Sequence, residues 1–555
     1  MSSSVRAAAA LVGRLLDCGV TDVALCPGSR SAPLAYALEA AERAGAVRLH
    51  VRSDERTAAF VALGCTRADP SRPAAVVTTS GTAAGHLVPA AMEAHHSRLP
   101  LLLLTADRPK SLRGTWANQT THLQAGLFAE IACQSVDLAS PGPNDEPRWA
   151  QVAQSAVEVS TGAAGGPPGP VHLNLAFEEP LVPAAGDLEV PPDHAAQKYS
   201  LLRSPGAVRA TTVLARGPRT VVVAGDGAGG AAAVLAAQAG WPLLAEPTSG
   251  SRTPACVPAY RLLLDRADLG GRVQRVVVLG RPTLSRPVTR LLARDDVEVV
   301  QVLQHADDPG PGRPVTRVLG RVVCSGDPVR PDDERWAQSW RRAGELAQAA
   351  LGRVLDAWPE LTGPALARTA ALATGPRDVL VVASSNPVRD LDLMAPGFAP
   401  GALVLANRGL AGIDGTLSTA VGVACASGRT TRVLVGDLAF LHDAGGLAVP
   451  ARELRRLRLQ VLLLNDDGGG IFSTLEHADQ AGSFERVFGT PHGTDFAALC
   501  VAHGVPHTTA TGARQLAQAT AAVPQGISVV EVRTSRAALR DLHAALRSSV
   551  EEALA

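Results

Sequence analysis

Lysine is almost absent from this sequence, and arginine takes its place. Only Lys110 and Lys198 are lysines among the 52 basic residues of the 555-residue chain. The 52 acidic residues bring the formal net charge to +0, and no run of basic residues stands out. Because binding to nucleic acid needs clustered positive charge, we expect no nucleic-acid partner.

Paired cysteines and long apolar runs are also missing. None of the eight cysteines forms a C-x-x-C pair, which argues against a zinc site and favours free thiols in a reducing cytoplasm. Arg14 and Asp17 interrupt the apolar N-terminal stretch at helical spacing, so it predicts an amphipathic helix and not a signal peptide. No run approaches the roughly 18 residues of a membrane span. These absences predict a cytoplasmic protein.

Short apolar runs alternate with helical patterns along the whole chain. This alternation is typical of α/β folds with mostly parallel sheets flanked by helices, and the length predicts about three domains. We place the domains at residues 1–182, 198–345 and 358–555. A stretch rich in proline and polar residues, 182–198, is interpreted as a linker, and a helical run is predicted from about Asp333 to Trp358.

A glycine-rich turn follows the apolar strand "TVVVA" of the middle block. Gly225, Gly227 and Gly230 give the spacing G-x-G-x-x-G that is typical of dinucleotide-binding folds. A tight strand-to-helix turn without a ligand explains the same spacing. The acidic residue that should follow about 20 positions later has only one weak candidate, Glu246. Nicotinamide or flavin binding therefore stays a minor hypothesis.

The third block carries a more specific pattern at the ends of two apolar strands. Gly436 and Asp437 end one strand, and the run Asn465–Gly468 ends the next. Because neighbouring parallel strands end at the same edge of a sheet, Asp437 and Asp466 are expected to meet. Two carboxylates, a backbone carbonyl and phosphate oxygens suit an octahedral magnesium ion, and glycine amides favour a diphosphate. The simpler alternative is a pair of helix-capping aspartates.

Near the N-terminus, the stretch "VRSDERTAAFVALG" places carboxylates directly before an apolar run that predicts a buried helix. Asp54 can cap that helix, and Glu55 in the first turn suits the positive end of its dipole. The alternative is that one of the two carboxylates has a chemical role.

The "GD" at 436–437 followed by "N-x-x-G-G" resembles the thiamine diphosphate motif. The resemblance implies that Asp437, Asp466 and the carbonyl oxygen of Gly468 hold Mg²⁺ or Mn²⁺ against the diphosphate. Two positions depart from the usual pattern, because Leu438 replaces a glycine and Asp466 replaces an asparagine. Aspartate is a competent ligand, so the site survives, although the roles of Asn465, Asp466 and Asp467 are less sharply divided.

Further motifs resemble the MenD family, the 2-succinyl-5-enolpyruvyl-6-hydroxy-3-cyclohexene-1-carboxylate synthases of menaquinone biosynthesis. They are "PGSRSAPL", "TTSGTAAGHLVPA", "LLLLTADRP", "ANQT", "GPVHLNLAFEEPL" and "ANRGLAGIDGTLSTAVGVA". The resemblance covers most of the chain and is weakest over 185–370. It implies a transferase that decarboxylates 2-oxoglutarate and adds the succinyl group to isochorismate in a 1,4 fashion. It also implies a pyrimidine-binding, a middle and a diphosphate-binding domain, with the cofactor between subunits of a homodimer or homotetramer.

The same resemblance assigns site residues. Glu55 takes the catalytic position, where a carboxylate holds the pyrimidine N1′, and Ile413 wedges the two cofactor rings. The remaining implied cofactor contacts are Ser385, Gly412, Gly436, Asp437, Leu438, Ala439, Asn465, Asp466, Gly468 and Ile471. The substrate contacts are Ser29, Arg30, Arg108, Asn118, Gln119, Arg286, Ser385, Arg389, Arg408 and Phe472. The arginines suit two dicarboxylic substrates.

Two rival functions stay open at this point. An acetolactate synthase-like carboligase predicts turnover of pyruvate and a need for FAD. A nucleotide-binding regulatory protein predicts binding through Gly225–Gly230 and no thiamine diphosphate requirement. His86, His95 and His96 are interpreted as structural or interfacial residues.

Overall fold

The computed structural model describes residues 2–184 and 211–555, so most of the proposed linker at 182–198 lies outside the described residues. Contacts between Cα atoms divide the chain into two compact units. One contains the described N-terminal residues together with Gly409–Gly428 and His442–Arg458. The other contains residues 211–408, Arg429–Leu441 and Leu459–Ala555.

The N-terminal segment forms a six-stranded parallel sheet in the order β2-β1-β3-β4-β6-β5. Its strands are β1 (Asp22–Leu25), β2 (Arg48–Val51), β3 (Ala74–Thr78), β4 (Leu101–Asp107), β5 (Gln134–Leu138) and β6 (Pro170–Ala176). Its helices are α1 (Ser3–Asp17), α2 (Ala32–Arg43), α3 (Glu55–Ala68), α4 (Thr82–Gly85), α5 (Val88–Ser97) and α6 (Glu146–Ser160). All residues of β3, β4 and β6 are buried, because helices cover both faces of the sheet.

The middle segment forms a five-stranded sheet in the order β12-β11-β10-β8-β9 and a separate pair, β13-β7. Its strands are β7 (Thr211–Leu214), β8 (Thr220–Ala224), β9 (Leu243–Ala245), β10 (Arg275–Leu279), β11 (Glu298–Leu303), β12 (Thr316–Leu319) and β13 (Arg321–Cys324). Its helices are α7 (Ala231–Ala239), α8 (Tyr260–Leu263), α9 (Arg286–Ala293) and α10 (Pro331–Ala357). The long helix α10 confirms the helical run predicted at Asp333–Trp358.

The C-terminal segment forms a six-stranded sheet in the order β15-β14-β16-β17-β19-β18. Its strands are β14 (Val379–Val382), β15 (Leu403–Leu405), β16 (Thr431–Gly436), β17 (Arg458–Asn465), β18 (His507–Ala510) and β19 (Gly526–Arg533). Its helices are α11 (Gly363–Ala373), α12 (Asn386–Met394), α13 (Thr416–Ser427), α14 (Asp437–His442), α15 (Ala451–Leu454), α16 (Ala481–Phe484), α17 (Phe496–Ala502), α18 (Ala513–Ala521) and α19 (Leu539–Ala553). Three mostly parallel sheets flanked by helices confirm the predicted fold class.

Helix α3 is buried on every side, from Thr57 through Arg67. It crosses α13 so closely that a Cβ atom on Gly64 would lie 2.1 Å from the Thr419 carbonyl oxygen. A Cβ atom on Gly422 would likewise lie 2.0 Å from the Val61 carbonyl oxygen. Glycine is therefore required on both helices, and this crossing fixes α13 in the first unit.

A buried imidazole joins two carboxylates in the same unit. His50 Nε2 lies 3.0 Å from Asp22 Oδ1, and His50 Nδ1 lies 3.0 Å from Glu453 Oε2. Arg48 and Arg52 each bind one of these carboxylates with two guanidinium nitrogens. Both carboxylates are thus already paired, and we interpret the group as an ion-pair network, not a metal site.

The network shifts the pKa values of its members. Burial opposes the charged imidazole, but its hydrogen bonds with the carboxylates of Asp22 and Glu453 and with two neighbouring thiols outweigh this effect and raise the His50 pKa well above 6.5. Burial also opposes the charged Asp22, yet His50 and Arg48 lower its pKa to about 2. His50 is therefore a buried imidazolium at neutral pH.

This arrangement predicts a loss of stability in alkaline solution. Since the folded pKa of His50 exceeds its ordinary value of 6.5, its contribution is complete below that pH and is lost as pH rises through the folded pKa. The slope reaches at most about 1.4 kcal/mol per pH unit. Urea unfolding at pH 7 and about pH 9.5 should show this decline in the wild type and a shallower decline in His50→Gln.

His543→Gln provides a matched control for that measurement. Burial and nearby Arg261 and Arg547 lower the His543 pKa to about 4, so this residue is neutral throughout the alkaline window. The variant should keep the wild-type slope. Equal slopes in the wild type and His50→Gln would contradict the prediction.

All eight cysteines are free thiols, and four of them are buried. Among the described residues, no helix combines the length and the apolar character that crossing a membrane would need.

Candidate active site

The carboxyl ends of three neighbouring strands gather the residues of the predicted diphosphate site. Strands β14, β16 and β17 pair in parallel, so Ser385, Asp437 and Asp466 follow strand ends at one edge of the sheet. Ser385 has a φ of +73°, a strained conformation for a residue with a side chain. Backbone strain of this kind is common at functional sites.

Asp437 begins α14 and holds the next strand-end turn. Its Oδ2 accepts the backbone N–H groups of Gly468 at 2.9 Å and Asp466 at 3.2 Å. Its Oδ1 accepts the N–H of Leu438 at 2.6 Å. The carboxylate is buried, which raises its pKa although these hydrogen bonds oppose the shift. The structure thus brings the two predicted strand ends into direct contact.

The donor set fits a divalent cation. Burial and the neighbouring charge of Asp437 raise the pKa of Asp466 to about 8. Two buried carboxylates that repel each other are stabilised by a hard cation, which prefers oxygen ligands. The residues present therefore fit a magnesium or manganese ion, with Asp437, Asp466 and the Gly468 carbonyl as the predicted ligands.

The turn after β17 requires its glycines. A Cβ atom on Gly468, where φ is +134°, would lie 1.9 Å from the Gly489 carbonyl oxygen, and one on Gly470 would lie 1.8 Å from Asp466 Oδ2. Asn465 is used inside the fold, because its Nδ2 donates to Glu531 at 2.7 Å. Its Oδ1 accepts the N–H of Asp467. Its side chain therefore shapes the turn.

His492 is a neighbour of this site that sequence reasoning missed. Its Nε2 lies 3.2 Å from Asp437 Oδ2, and its backbone N–H donates to Asp467 Oδ1 at 3.0 Å. The segment "TPHGTD" around it has no local pattern that marks a site. Only the fold brings it to the predicted metal-binding turn.

The other implied cofactor and substrate contacts of this region flank the two aspartates in sequence. Gly436, Leu438 and Ala439 adjoin Asp437 at the start of α14. Ile471 and Phe472 follow the glycine turn and are half-buried. The ring of Phe472 packs against His477 and Phe488, at centroid distances of 6.0 and 5.4 Å.

Arginines gather in the second unit beside Ser385. Arg389 Nη1 donates to the Ser385 carbonyl at 2.7 Å. Burial and the positive charges of Arg408, Arg261 and Arg286 lower its pKa. This mutual repulsion marks a site suited to an anion with more than one carboxylate. Sequence reasoning did not single out Arg261. The chain has 50 arginines, and Arg261 lies in none of the motifs.

Arg408 and Arg286 differ in how they are held. Arg408 is buried, and its Nη2 donates to Thr283 Oγ1 at 2.8 Å. Arg286 is exposed and pairs with Glu476 at 3.1 Å, so a residue of the middle segment reaches the C-terminal segment within this unit.

Glu55 occupies the first turn of α3 in the other unit. Asp54 caps this helix by accepting the N–H groups of Arg56 at 2.8 Å and Thr57 at 3.2 Å, which confirms its predicted role. Glu55 itself is half-buried and lies near Cys26. Burial, followed by the charges of Glu55 and Asp54, raises the pKa of that thiol to about 12 and keeps it neutral.

The predicted substrate residues of the first unit follow the carboxyl ends of β1 and β4 and meet in the structure. Arg30 is buried and donates to the Phe177 carbonyl at 2.9 Å; burial and the charge of Arg108 lower its pKa. Arg108 binds both the carbonyl and the side-chain oxygen of Asn118 at 2.7 Å. Ser29, beside Arg30, is exposed. Two arginines of this unit therefore lie close enough for their charges to interact.

Polar groups also gather at the end of β3, the strand between β1 and β4. Gln119 has a φ of +51° and its Cα lies 3.2 Å from the Cβ position of Gly81. The buried hydroxyls of Thr78, Thr79 and Ser80 have no hydrogen-bond partner among the described residues. Unpaired buried hydroxyls are rare in complete structures, and a polar ligand would satisfy them.

Ile413 lies on a loop of the first unit between β15 and α13. Gly412 is exposed and Ile413 is half-buried. Gly415, with a φ of +58°, closes the loop against Phe60, since a Cβ atom there would lie 1.9 Å from the Phe60 ring. The loop is thus tied to α3, the helix that begins with Glu55.

Four backbone N–H groups of the glycine turn in the middle segment are already used inside the fold. The N–H groups of Gly225, Asp226, Ala228 and Gly229 all donate to backbone carbonyls. A Cβ atom on Gly225 would lie 2.1 Å from the Arg281 backbone, so a neighbouring loop fills the approach. These contacts favour the interpretation of a tight strand-to-helix turn over that of a nucleotide site.

Comparison with known proteins matches both ends of the chain. The thiamine pyrophosphate enzyme N-terminal TPP binding domain matches residues 5–127, and the C-terminal TPP binding domain matches residues 396–532.

Full-length relatives share one name, 2-succinyl-5-enolpyruvyl-6-hydroxy-3-cyclohexene-1-carboxylate synthase. The protein of Kineococcus radiotolerans is 48% identical over 570 aligned residues, covering 100% of both chains. That of a Nocardioides species is 47% identical, covering 98% of both chains. That of Nocardia farcinica is 42% identical, covering 99% of this chain and 100% of its own.

Proposed function

The chain belongs to the 2-succinyl-5-enolpyruvyl-6-hydroxy-3-cyclohexene-1-carboxylate synthase family of thiamine diphosphate-dependent enzymes, and from this membership we propose how its residues divide the reaction. The enzyme is a transferase of menaquinone biosynthesis. It decarboxylates 2-oxoglutarate and adds the succinyl group to isochorismate, with release of carbon dioxide.

Its residues fall into three domains in our proposal, with the bounds 1–182, 198–345 and 358–555. The first binds the pyrimidine, the third binds the diphosphate, and the middle one is structural. The support for a structural middle domain is its glycine turn, in which four N–H groups already donate to backbone carbonyls.

The contact between Asp437 and the Asp466–Gly468 turn is the observation that carries the proposal. Asp437, Asp466 and the Gly468 carbonyl would hold Mg²⁺ or Mn²⁺ against the diphosphate. When bound, thiamine diphosphate supplies a nucleophilic carbon and an electron sink for the decarboxylation.

Glu55 and Ile413 act on the other half of the cofactor in this assignment. The Glu55 carboxylate would accept a hydrogen bond from pyrimidine N1′ and stabilise the protonated ring nitrogen. The apolar residues of α3 behind it exclude water, which strengthens that bond. Ile413 would hold the two rings in a folded conformation.

The two arginine groups match the charges of the substrates. We assign Arg286, Arg389 and Arg408, with Ser385, to carboxylates, since their mutual repulsion is relieved by an anion. Arg30 and Arg108, with Ser29, Asn118 and Gln119, form the second group, and Phe472 would cover the bound substrates.

A homodimer or homotetramer is the assembly that we propose. Exposed apolar side chains support it, because Trp116 is fully exposed and Leu123 is 62% exposed beside Asn118 and Gln119. We also propose a cytoplasmic location, which the eight free thiols favour.

A reconstitution assay tests the function. The protein, thiamine diphosphate, Mg²⁺, 2-oxoglutarate and isochorismate should together consume isochorismate, followed by its absorbance, and release one carbon dioxide per isochorismate. Omission of the cofactor or of 2-oxoglutarate should abolish the signal. Turnover of pyruvate in place of 2-oxoglutarate, at an equal or higher rate, would favour the acetolactate synthase-like rival.

A further inference from the structure

Glu93, on α5, is a buried carboxylate whose two oxygens are both occupied. Its Oε2 accepts the backbone N–H of Leu410 at 2.8 Å. Its Oε1 accepts the N–H of Gly409 at 2.7 Å, the hydroxyl of Ser97 at 2.8 Å and Arg67 Nη2 at 3.0 Å. The side chain is 6% exposed, so these bonds form in a water-poor environment. Two of the four donors belong to a loop more than 300 positions away.

That loop, residues 409–415, carries Ile413 between two fixed ends. Glu93 holds its beginning, and the packing of Gly415 on Phe60 holds its end. Between them Ala411 has a φ of +59°, a conformation that disfavours residues with a Cβ atom. A strained residue of this kind persists only where the surrounding structure determines it.

The approach of Gly409 to α5 shows that the fit is specific. A Cβ atom on Gly409 would lie 2.7 Å from the Glu93 carbonyl oxygen and 2.9 Å from Glu93 Oε2. Any carboxylate at this place would neutralise the buried Arg67. The hydrogen bonds from the N–H groups of Gly409 and Leu410 do more, because they fix where the 409–415 loop begins. Glu93 therefore does more than pair a charge.

We propose that Glu93 is a positioning residue for the reaction, which acts by fixing the 409–415 loop so that Ile413 meets the cofactor in the productive position. The inference rests on the proposed role of Ile413. Glu93 itself touches neither cofactor nor substrate in this assignment.

Glu93→Gln tests the inference sharply because the two oxygens have unequal partners. The oxygen of the glutamine amide takes the Oε1 position, where it still accepts from Gly409, Ser97 and Arg67. The amide nitrogen then takes the Oε2 position and faces the N–H of Leu410, so two donors oppose each other. The variant therefore releases the loop at Leu410 and keeps the bond to Ser97. Gly409→Ala gives a second route, since its Cβ atom displaces the loop while Glu93 stays intact.

Ser97→Ala is the matched control. It removes one donor from the same carboxylate and one acceptor from Arg67, but it leaves both hydrogen bonds to the loop. It therefore measures the effect of weakening this cluster without releasing the loop. Ile413→Ala, measured in parallel, tests the assignment on which the inference rests.

Two readouts apply to the full-length enzyme. The first is the circular dichroism of the bound cofactor, which reports the tautomers of its aminopyrimidine; the second is kcat at saturating cofactor. Glu93→Gln and Gly409→Ala should both weaken the dichroic signal and lower kcat by roughly 10- to 100-fold, as expected for a displaced contact. Ser97→Ala should keep both within about threefold. Thermal unfolding should show Glu93→Gln to be the less stable of the two variants, since it also leaves the buried Arg67 without its counter-charge.

Three results would overturn the inference: a wild-type signal and kcat in Glu93→Gln, the same in Gly409→Ala, or losses in Ser97→Ala as large as in Glu93→Gln. An unchanged signal in Ile413→Ala would instead reject the role of Ile413. An inactive wild type would reject the proposed function itself.

Discussion

Glu55→Gln should lower kcat by about 10²- to 10⁴-fold, the usual contribution of a positioned acid–base group. Glutamine keeps the size of the side chain, but it lacks the negative charge that stabilises a protonated pyrimidine nitrogen. The buried face of α3 makes that charge more effective than it would be in water. Steady-state kinetics at saturating thiamine diphosphate and Mg²⁺ provide the measurement.

Asp54→Asn is the matched control, since it makes the same change of carboxylate to amide one position earlier. Asparagine is as good an N-cap as aspartate, so the helix start is retained. We expect a kcat within about threefold of the wild type and a similar thermal unfolding temperature. Comparable losses in both variants would show that the local charge matters and that Glu55 has no special role.

Asp437→Asn should lower the affinity for thiamine diphosphate and Mg²⁺ by at least about 10- to 100-fold. Even groups that only support metal ligands contribute this much, and Asp437 is assigned as a ligand. Asparagine still accepts the N–H groups of Gly468 and Asp466 through its oxygen, so the contact with the turn is retained, while its amide nitrogen faces the N–H of Leu438 that Asp437 accepted. Calorimetric titration of the apoprotein with the cofactor in excess Mg²⁺ measures the change.

Asp467→Asn tests whether the effect belongs to Asp437. Asp467 lies in the same turn, but its Oδ1 accepts the N–H groups of His492 and Gly493 and its side chain is half-exposed. The affinity of the Asp467→Asn variant for the cofactor should stay within about threefold of that of the wild type. A larger loss there than in Asp437→Asn would mean that the metal ligands are assigned to the wrong aspartate.

The sequence was sufficient for the features that depend on strand order and local capping. The juxtaposition of Asp437 with the Asp466–Gly468 turn follows from two apolar strands in succession, and the Asp54 cap follows from a carboxylate before an apolar helix. The alternation of apolar runs with helical patterns predicted the α/β class, and the family resemblance then supplied the roles of the three domains. These features are local, or they depend on one β-α-β connection.

Other features could not be read from the chain. Strands β5, β7 and β18 are short and only partly buried, so their patterns carry no apolar run. His492 and Glu93 reach their partners through contacts distant in sequence, and no local spacing marks either residue. The glycine turn at Gly225 has the dinucleotide spacing, but the backbone bonds that occupy four of its N–H groups are visible only in three dimensions.

The crossing of α3 and α13 has a consequence for how the protein is made. Helix α3 ends at Ala68 and α13 ends at Ser427, so one leaves the ribosome about 360 residues before its partner. At a synthesis rate of roughly 5–20 residues per second, on the order of 20–70 s pass between the synthesis of α3 and that of α13. During that interval an apolar helix has no packing partner at its glycine face. Nascent chains should therefore depend on a chaperone until synthesis passes the second helix.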